Sequence, residues 1–116
     1  MNKLVNQLVN SFQLIKDEYF TDSFLPNTLC YPCTGYMLLI LSDNKIKIAE
    51  DISYCYDSNN NPTIMFLGNM NYTIDVNSYN NIVNHINSLL IKHNDLVKKI
   101  KNNLVKQQLD SIKTDF

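Results

Sequence analysis

Three observations predict that this sequence forms a single α+β domain. An amphipathic helical pattern lies near each end of the chain, and short apolar stretches separated by turn residues lie between them. In the end segments apolar residues recur every three or four positions, whereas the central stretches alternate or are too short for a helix. The prediction is therefore an N-terminal amphipathic helix, an antiparallel β-meander of three to five strands, and a long C-terminal helix or two helices in tandem.

The N-terminal helix is predicted over residues 3–20. Pro26 follows it, and a proline pushes the residue before it out of helical geometry. Residues 22–35 are predicted as a loop that contains Cys30 and Cys33. The apolar positions of the helix are Leu4, Val5, Leu8, Phe12, Ile15 and Tyr19.

The central segment is predicted to be a meander of short strands. Ile46, Ile48 and Ile52 share one face, which is typical of a sheet with one wet side. Asp and Asn residues mark turns because their side chains bond to nearby backbone groups, and Gly68-Asn69 is a strong two-residue hairpin signal. The predicted strands are 36–41, 46–56 with a bend at Glu50-Asp51, 63–67 and 70–74, and the predicted turns are 42–45, 57–62 and 68–69.

The C-terminal third is predicted as a helical arm over residues 76–114 of the 1–116 domain. Asp75 and Ser78 are both suitable N-terminal caps, and no Gly or Pro occurs after Gly68 to end a helix. A helix of about 36 residues is about 54 Å long, which exceeds the ~13 Å radius of gyration of a domain of this size. The helix either breaks near residues 93–95 and folds back, or projects and pairs with a partner.

The apolar stripe of this arm exceeds what the preceding residues are expected to cover. We therefore predict a protein-binding module that forms a coiled-coil homodimer. The residues predicted to carry self-association are Ile86, Leu90, Val97, Ile100 and Leu104.

Charge is divided along the chain, which allows a second interpretation of the arm. Residues 1–91 contain four lysines and eight acids, a net charge of −4, whereas residues 92–116 contain six lysines and three acids, a net charge of +3. A basic helix attracts phosphate, so the alternative function is that of a nucleic-acid-binding accessory protein. The absence of arginine disfavours base-specific readout. The lysines predicted to contact nucleic acid are Lys98, Lys99, Lys101 and Lys106.

Composition indicates a cytoplasmic protein with no membrane span. The longest apolar run is far shorter than the ~20 residues that a span needs, no secretory signal is visible, and three cysteines cannot all pair within one chain. The 18 asparagines, with many Ile, Lys and Tyr, suggest an AT-rich genome such as that of a mobile element or virus.

The Cys30-Tyr31-Pro32-Cys33 segment is the sharpest chemical motif. This spacing suits a redox pair or half of a zinc site, but the motif lies between a helix and a strand rather than within a βαβ unit. In the third interpretation, Cys30 and Cys33 are simply two small side chains that flank a rigid turn. With no other ligand pair or phosphate loop, no enzyme activity, cofactor or metal is predicted, and the expected role is that of an adaptor, inhibitor or chaperone-like regulator.

Overall fold

The computed structural model describes residues 3–17, 22–27 and 31–114, with side chains as far as Asn103. Over these ranges it has an N-terminal helix, eight strands and a long C-terminal helix, which confirms the α+β prediction. The elements are α1 (Lys3–Ser11), β1 (Ile15–Lys16), β2 (Ser23–Leu25), β3 (Cys33–Thr34), β4 (Leu38–Ile40), β5 (Lys45–Ile48), β6 (Asp51–Tyr56), β7 (Pro62–Leu67), β8 (Met70–Thr73) and α2 (Tyr79–Thr114).

The strands form two sheets rather than one meander. Sheet A has five antiparallel strands in the order β1-β2-β4-β5-β8, which confirms the predicted antiparallel sheet. Sheet B has three strands in the order β3-β7-β6, and its β3–β7 pair is parallel. The second sheet and the parallel pair were not predicted.

One long bent hairpin joins the two sheets. Its first arm is β5 followed by β6, and its second arm is β7 followed by β8. Lys45 pairs with Thr73 in sheet A and Tyr56 pairs with Pro62 in sheet B, so no residue is gained or lost between the two ends. The arms bend at Ala49-Glu50 and Gly68-Asn69, and the first of these bends lies within one residue of the predicted one.

The predicted hairpin turn at Gly68-Asn69 is wrong, because β7 and β8 do not pair with each other. The chain reverses instead at residues 57–61, where the Asp57 amide donates to the Asn61 carbonyl at 2.9 Å. The Asp57 carboxylate stabilises this turn by accepting from the amides of Asn59 and Asn61 at 2.9 and 2.8 Å.

Helix α1 is shorter than predicted, because it ends at Ser11 rather than at residue 20. Gln13 adopts a left-handed conformation with φ of 52°, and the Leu14 amide donates to the Val9 carbonyl at 3.0 Å. This is a Schellman C-cap, which usually places glycine at the left-handed position.

The loop predicted over residues 22–35 is also wrong in part, because it contains β2 and β3. Both strands are only two or three residues long, and Ser23, Phe24 and Leu25 are all buried. Residues 18–21 and 28–30, and therefore Cys30, lie outside the described residues.

Helix α2 begins at the predicted caps and runs without a break. The Ser78 amide donates to the Asp75 carboxylate at 2.8 Å, while the Asp75 amide donates to the Ser78 hydroxyl at 3.1 Å. This reciprocal cap, together with the positive end of the helix dipole, suits a carboxylate. The helix continues through residues 93–95, so the alternative of two tandem helices is wrong.

The core lies between α2 and the two sheets. Its α2 side chains include Ile82, Ile86, Leu89, His93 and Ile100, spaced at three, four or seven residues. The four apolar ones belong to the same buried cluster as the inward-facing isoleucines Ile46, Ile48, Ile52 and Ile64 of the bent hairpin.

Candidate functional site

Helix α2 crosses the body of the protein and is the element expected to bind a partner. The structure divides its five predicted self-association residues. Ile86 and Ile100 are completely buried in the core of a single chain, so a partner could reach them only if that core opened. Leu90 and Val97 are half-buried, and the Leu104 side chain lies outside those described.

The helix runs along β6 and extends past it. His85 of α2 lies against Ala49, Lys92 against Asp51, and the Asn103 amide group 3.4 Å from the Tyr54 hydroxyl. Only two residues of β6 follow Tyr54, whereas residues 104–114 of α2 add about 16 Å of helix. The C-terminal part of α2 therefore projects beyond the end of β6.

The overall dimensions agree with a projecting helix. The radius of gyration is 16.8 Å, and the molecule measures 62 × 25 × 22 Å. A compact domain of this length has a radius of gyration of about 13 Å.

The lysines proposed to contact nucleic acid are exposed but do not form one stripe. Lys98, Lys99 and Lys101 span about 160° of the helix circumference at about 100° per residue, and exposed Asp95 lies within that arc. The Lys106 side chain lies outside those described. Lys92, by contrast, forms a salt bridge of 2.9 Å to Asp51.

On each of the two edge strands of the bent hairpin, β6 and β8, one backbone group is hydrogen-bonded to a side chain. On β6, the Ile52 amide donates to the Asp51 carboxylate at 2.8 Å, and the hydrogen bond from Lys92 to that carboxylate lowers the pKa of Asp51. On β8, the Thr73 carbonyl accepts from the Ser78 hydroxyl at 2.6 Å. These two hydrogen bonds hinder the addition of a further strand at Ile52 and at Thr73.

A hydrogen-bonded chain joins β8, α2 and the bend of the hairpin. His85 Nε2 lies 2.8 Å from the Ala49 carbonyl, which can only accept, so this nitrogen carries the proton. His85 Nδ1 then accepts from the Tyr72 hydroxyl at 2.7 Å. Burial raises the pKa of Tyr72. With both ring nitrogens hydrogen-bonded, His85 positions α2 on the sheet. The contact between Tyr72 and His85 is not indicated by the position of either residue in the sequence.

The second histidine, His93, is buried without full hydrogen bonding. It is 2% exposed, and its Nδ1 atom has no hydrogen-bond partner among the described residues. Burial lowers the pKa of His93, and a hydrogen bond with the Asn94 side chain opposes this effect only in part. The burial of His93 was not predicted from the sequence.

The one described cysteine of the Cys30–Cys33 pair lacks the character of a redox nucleophile. Cys33 is half-buried in β3, with its sulfur 3.7 Å from the Tyr31 carbonyl oxygen. Burial, followed by the nearby charge of Asp17, raises the pKa of Cys33 to about 11, whereas reactive thiols have depressed values. Among the described residues, no group of three potential metal ligands comes together.

The known proteins offer no guide to a function. Comparison of the chain with family models, with curated proteins and with solved structures gave no match. In the described part of the chain, no helix combines the length and apolar character needed to cross a membrane.

Proposed function

We propose that this chain is a non-enzymatic protein-binding module that binds a second copy of itself through the projecting end of α2. The observation that carries the proposal is the continuation of α2 past β6, in a molecule whose radius of gyration exceeds that of a compact domain. The sequence supplies apolar residues along this extension, namely Leu104, Val105, Leu109 and Ile112.

Two features of the body support a helix-mediated interaction. The side-chain hydrogen bonds at Ile52 of β6 and Thr73 of β8 hinder strand addition at these two positions, which favours side-chain packing as the means of association. Leu90 and Val97 lie seven residues apart and remain half-buried, so the surface leading toward the extension is also partly apolar. An adaptor, inhibitor or chaperone-like regulator of a mobile element or virus, acting in the cytoplasm, fits such a module.

Sedimentation equilibrium over a roughly hundredfold range of concentration tests self-association. We expect the wild-type chain to dimerise and the Leu104→Gln/Leu109→Gln variant to remain monomeric. The two melting temperatures should be equal at concentrations where the wild-type chain is also monomeric. The matched control is Val76→Gln/Ile91→Gln, which also removes two apolar residues, from positions that are 82% and 60% exposed. This control should still dimerise.

Two results would contradict the proposal. One is a wild-type chain that stays monomeric over the whole range. The other is an equal loss of dimer in both double variants, which would indicate non-specific association. Ile100→Asp is the control for loss of folding. A charge at this buried position should unfold the protein, whereas Leu104→Gln/Leu109→Gln should leave it folded.

Nucleic-acid binding is the second candidate, favoured by the exposure of Lys98, Lys99 and Lys101. If it holds, duplex DNA or RNA should shift in a gel at low salt, and the complex should weaken steeply as salt is added. Replacing these three lysines and Lys106 with glutamine would then abolish the shift. Absence of a shift for the wild-type chain at low salt would rule this candidate out.

A further inference from the structure

The outer face of sheet A contains a shallow groove away from α2. Tyr72 turns inward to bond His85, and Ile46 is buried in the core. Because side chains alternate along a strand, the neighbours of these two residues on β5 and β8 lie on the opposite face. These neighbours are Lys45, Lys47, Asn71 and Thr73. Together with Leu41 and with Ile46 and Tyr72 they line a groove of about 470 Å³.

The groove is cationic within an otherwise acidic part of the chain. Lys45 and Lys47 are two of only four lysines in residues 1–91, against eight acids. Among the described residues the only salt bridge joins Lys92 to Asp51, so neither groove lysine is neutralised there. Their cross-strand neighbours, Thr73 and Asn71, add uncharged hydrogen-bonding groups.

We propose that this groove binds an acidic, extended segment of a partner protein. Lys45 and Lys47 are two residues apart on one strand, so their backbone positions are separated by about 7 Å. An extended peptide repeats its side chains on one face with the same spacing, so acids at alternate positions face both lysines. Leu41, which is 49% exposed, provides an apolar contact at the end of the groove.

A protein segment suits the groove better than a nucleic acid does. Sites for single-stranded nucleic acid combine a basic groove with aromatic side chains on which bases stack. The aromatic residue lining this groove is Tyr72, whose hydroxyl is bonded to His85 on the inner side of the sheet. The chain also has no arginine to form bidentate contacts with phosphate.

Fluorescence anisotropy with the full-length protein tests this site. The probe is a short fluorescein-labelled peptide in which glutamate alternates with threonine after a single leucine, and the same peptide with glutamine in place of glutamate serves as the uncharged control. The protein variants are Lys45→Gln/Lys47→Gln and the matched Lys98→Gln/Lys99→Gln, which removes the same charge from α2. All four lysines are exposed or half-buried, so both variants should fold.

We expect the acidic peptide to bind the wild-type chain and the glutamine peptide to bind much more weakly. The Kd of the acidic peptide should rise about five- to tenfold for Lys45→Gln/Lys47→Gln, since each exposed ion pair contributes little alone. It should stay nearly unchanged for Lys98→Gln/Lys99→Gln.

Three outcomes would overturn the proposal: no binding of the acidic peptide, an equal loss in the two variants, or tighter binding of a labelled thymidine oligonucleotide than of the peptide at the same salt concentration. None of these outcomes depends on dimerisation through α2. A monomeric protein that binds the peptide would refute the proposed self-association and leave the groove assignment intact.

Discussion

At the scale of single residues, the two histidines of α2 have opposite effects on stability. His85 donates from one ring nitrogen and accepts at the other, so its burial is compensated by hydrogen bonds. His93 is nearly completely buried, with Nδ1 unpaired in the described structure. An unsatisfied polar atom in the core costs free energy. His93 therefore lowers the free energy of unfolding, even though its ring fills part of the core.

We expect His93→Leu to stabilise the protein by about 1 kcal/mol near neutral pH and by more in mild acid. Burial lowers the pKa of His93 below its unfolded value of about 6.5, so the unfolded chain binds more protons between these two values. The wild-type stability should therefore fall as the pH drops through about 6.5, and urea unfolding across this range should show a flatter profile for His93→Leu.

The same substitution at the other histidine provides the control. His85→Leu leaves the Tyr72 hydroxyl and the Ala49 carbonyl without their partner, so it should destabilise the protein by about 1–3 kcal/mol. If His93→Leu also destabilised the protein, or kept the wild-type pH profile, the account of His93 as a buried and under-bonded group would be wrong.

At the scale of elements, the bent hairpin decides how the sheets and α2 come together. Gly68 has φ of 68°, and a β-carbon added there would lie 2.7 Å from the Glu50 carboxylate and 3.0 Å from the Glu50 β-carbon. Both the left-handed backbone and the close approach of the facing strand require glycine. The bend therefore depends on a residue that, in sequence, indicates a turn.

Gly68→Ala should destabilise the protein by about 1–2 kcal/mol or more, measured by urea unfolding, because alanine is strained at this φ and also contacts Glu50. Asn60→Ala is the control, since Asn60 has a similar φ of 63° in the exposed turn. Asn60→Ala should lower the free energy of unfolding by less, because it does not add a β-carbon against a facing residue. An equal or smaller loss for Gly68→Ala would show that the facing strand yields readily at the bend.

The same hairpin explains which elements could be predicted from sequence. Residues 57–62 and Gly68-Asn69 both carry turn signals, and local chemistry does not show which one reverses the chain and which one bends it. The strands β2 and β3 are too short to produce an alternating pattern, and Gln13 ends α1 in a conformation that glycine usually adopts. Helix α2 was predictable because its caps and its period agree.

The same limit applies to the candidate site on α2. The spacing of Ile86, Leu90, Val97 and Ile100 identifies an apolar face but not the surface that covers it. In the structure the sheets cover Ile86 and Ile100, while Leu90 and Val97 are only half-buried. The Tyr72–His85 contact joins residues 13 positions apart on different elements, so it required the fold to be known.

At the scale of the whole molecule, the acidic residues concentrate in the body and the lysines concentrate in the C-terminal part of α2. The body, within residues 1–91, has a net charge of −4, and the segment that includes the projecting end of α2 has a net charge of +3. Two copies that place residues 98–114 of one helix against the body of the other would bring these opposite charges together. The exposed lysines of α2 then have a role in association even though they do not form a single stripe.

This arrangement predicts that salt weakens self-association. Raising the salt concentration from about 0.05 to about 0.5 M shortens the screening length severalfold, so the dissociation constant of the dimer should rise, by about tenfold, in sedimentation experiments. Lys98→Gln/Lys99→Gln/Lys101→Gln reduces the charge of residues 92–116 from +3 to 0, and should bind more weakly at low salt with little further change. A dimer that strengthens with salt would instead be held by its apolar contacts alone. Salt screens charge, whereas some salts strengthen the burial of apolar surface. The division of charge would then serve solubility rather than association.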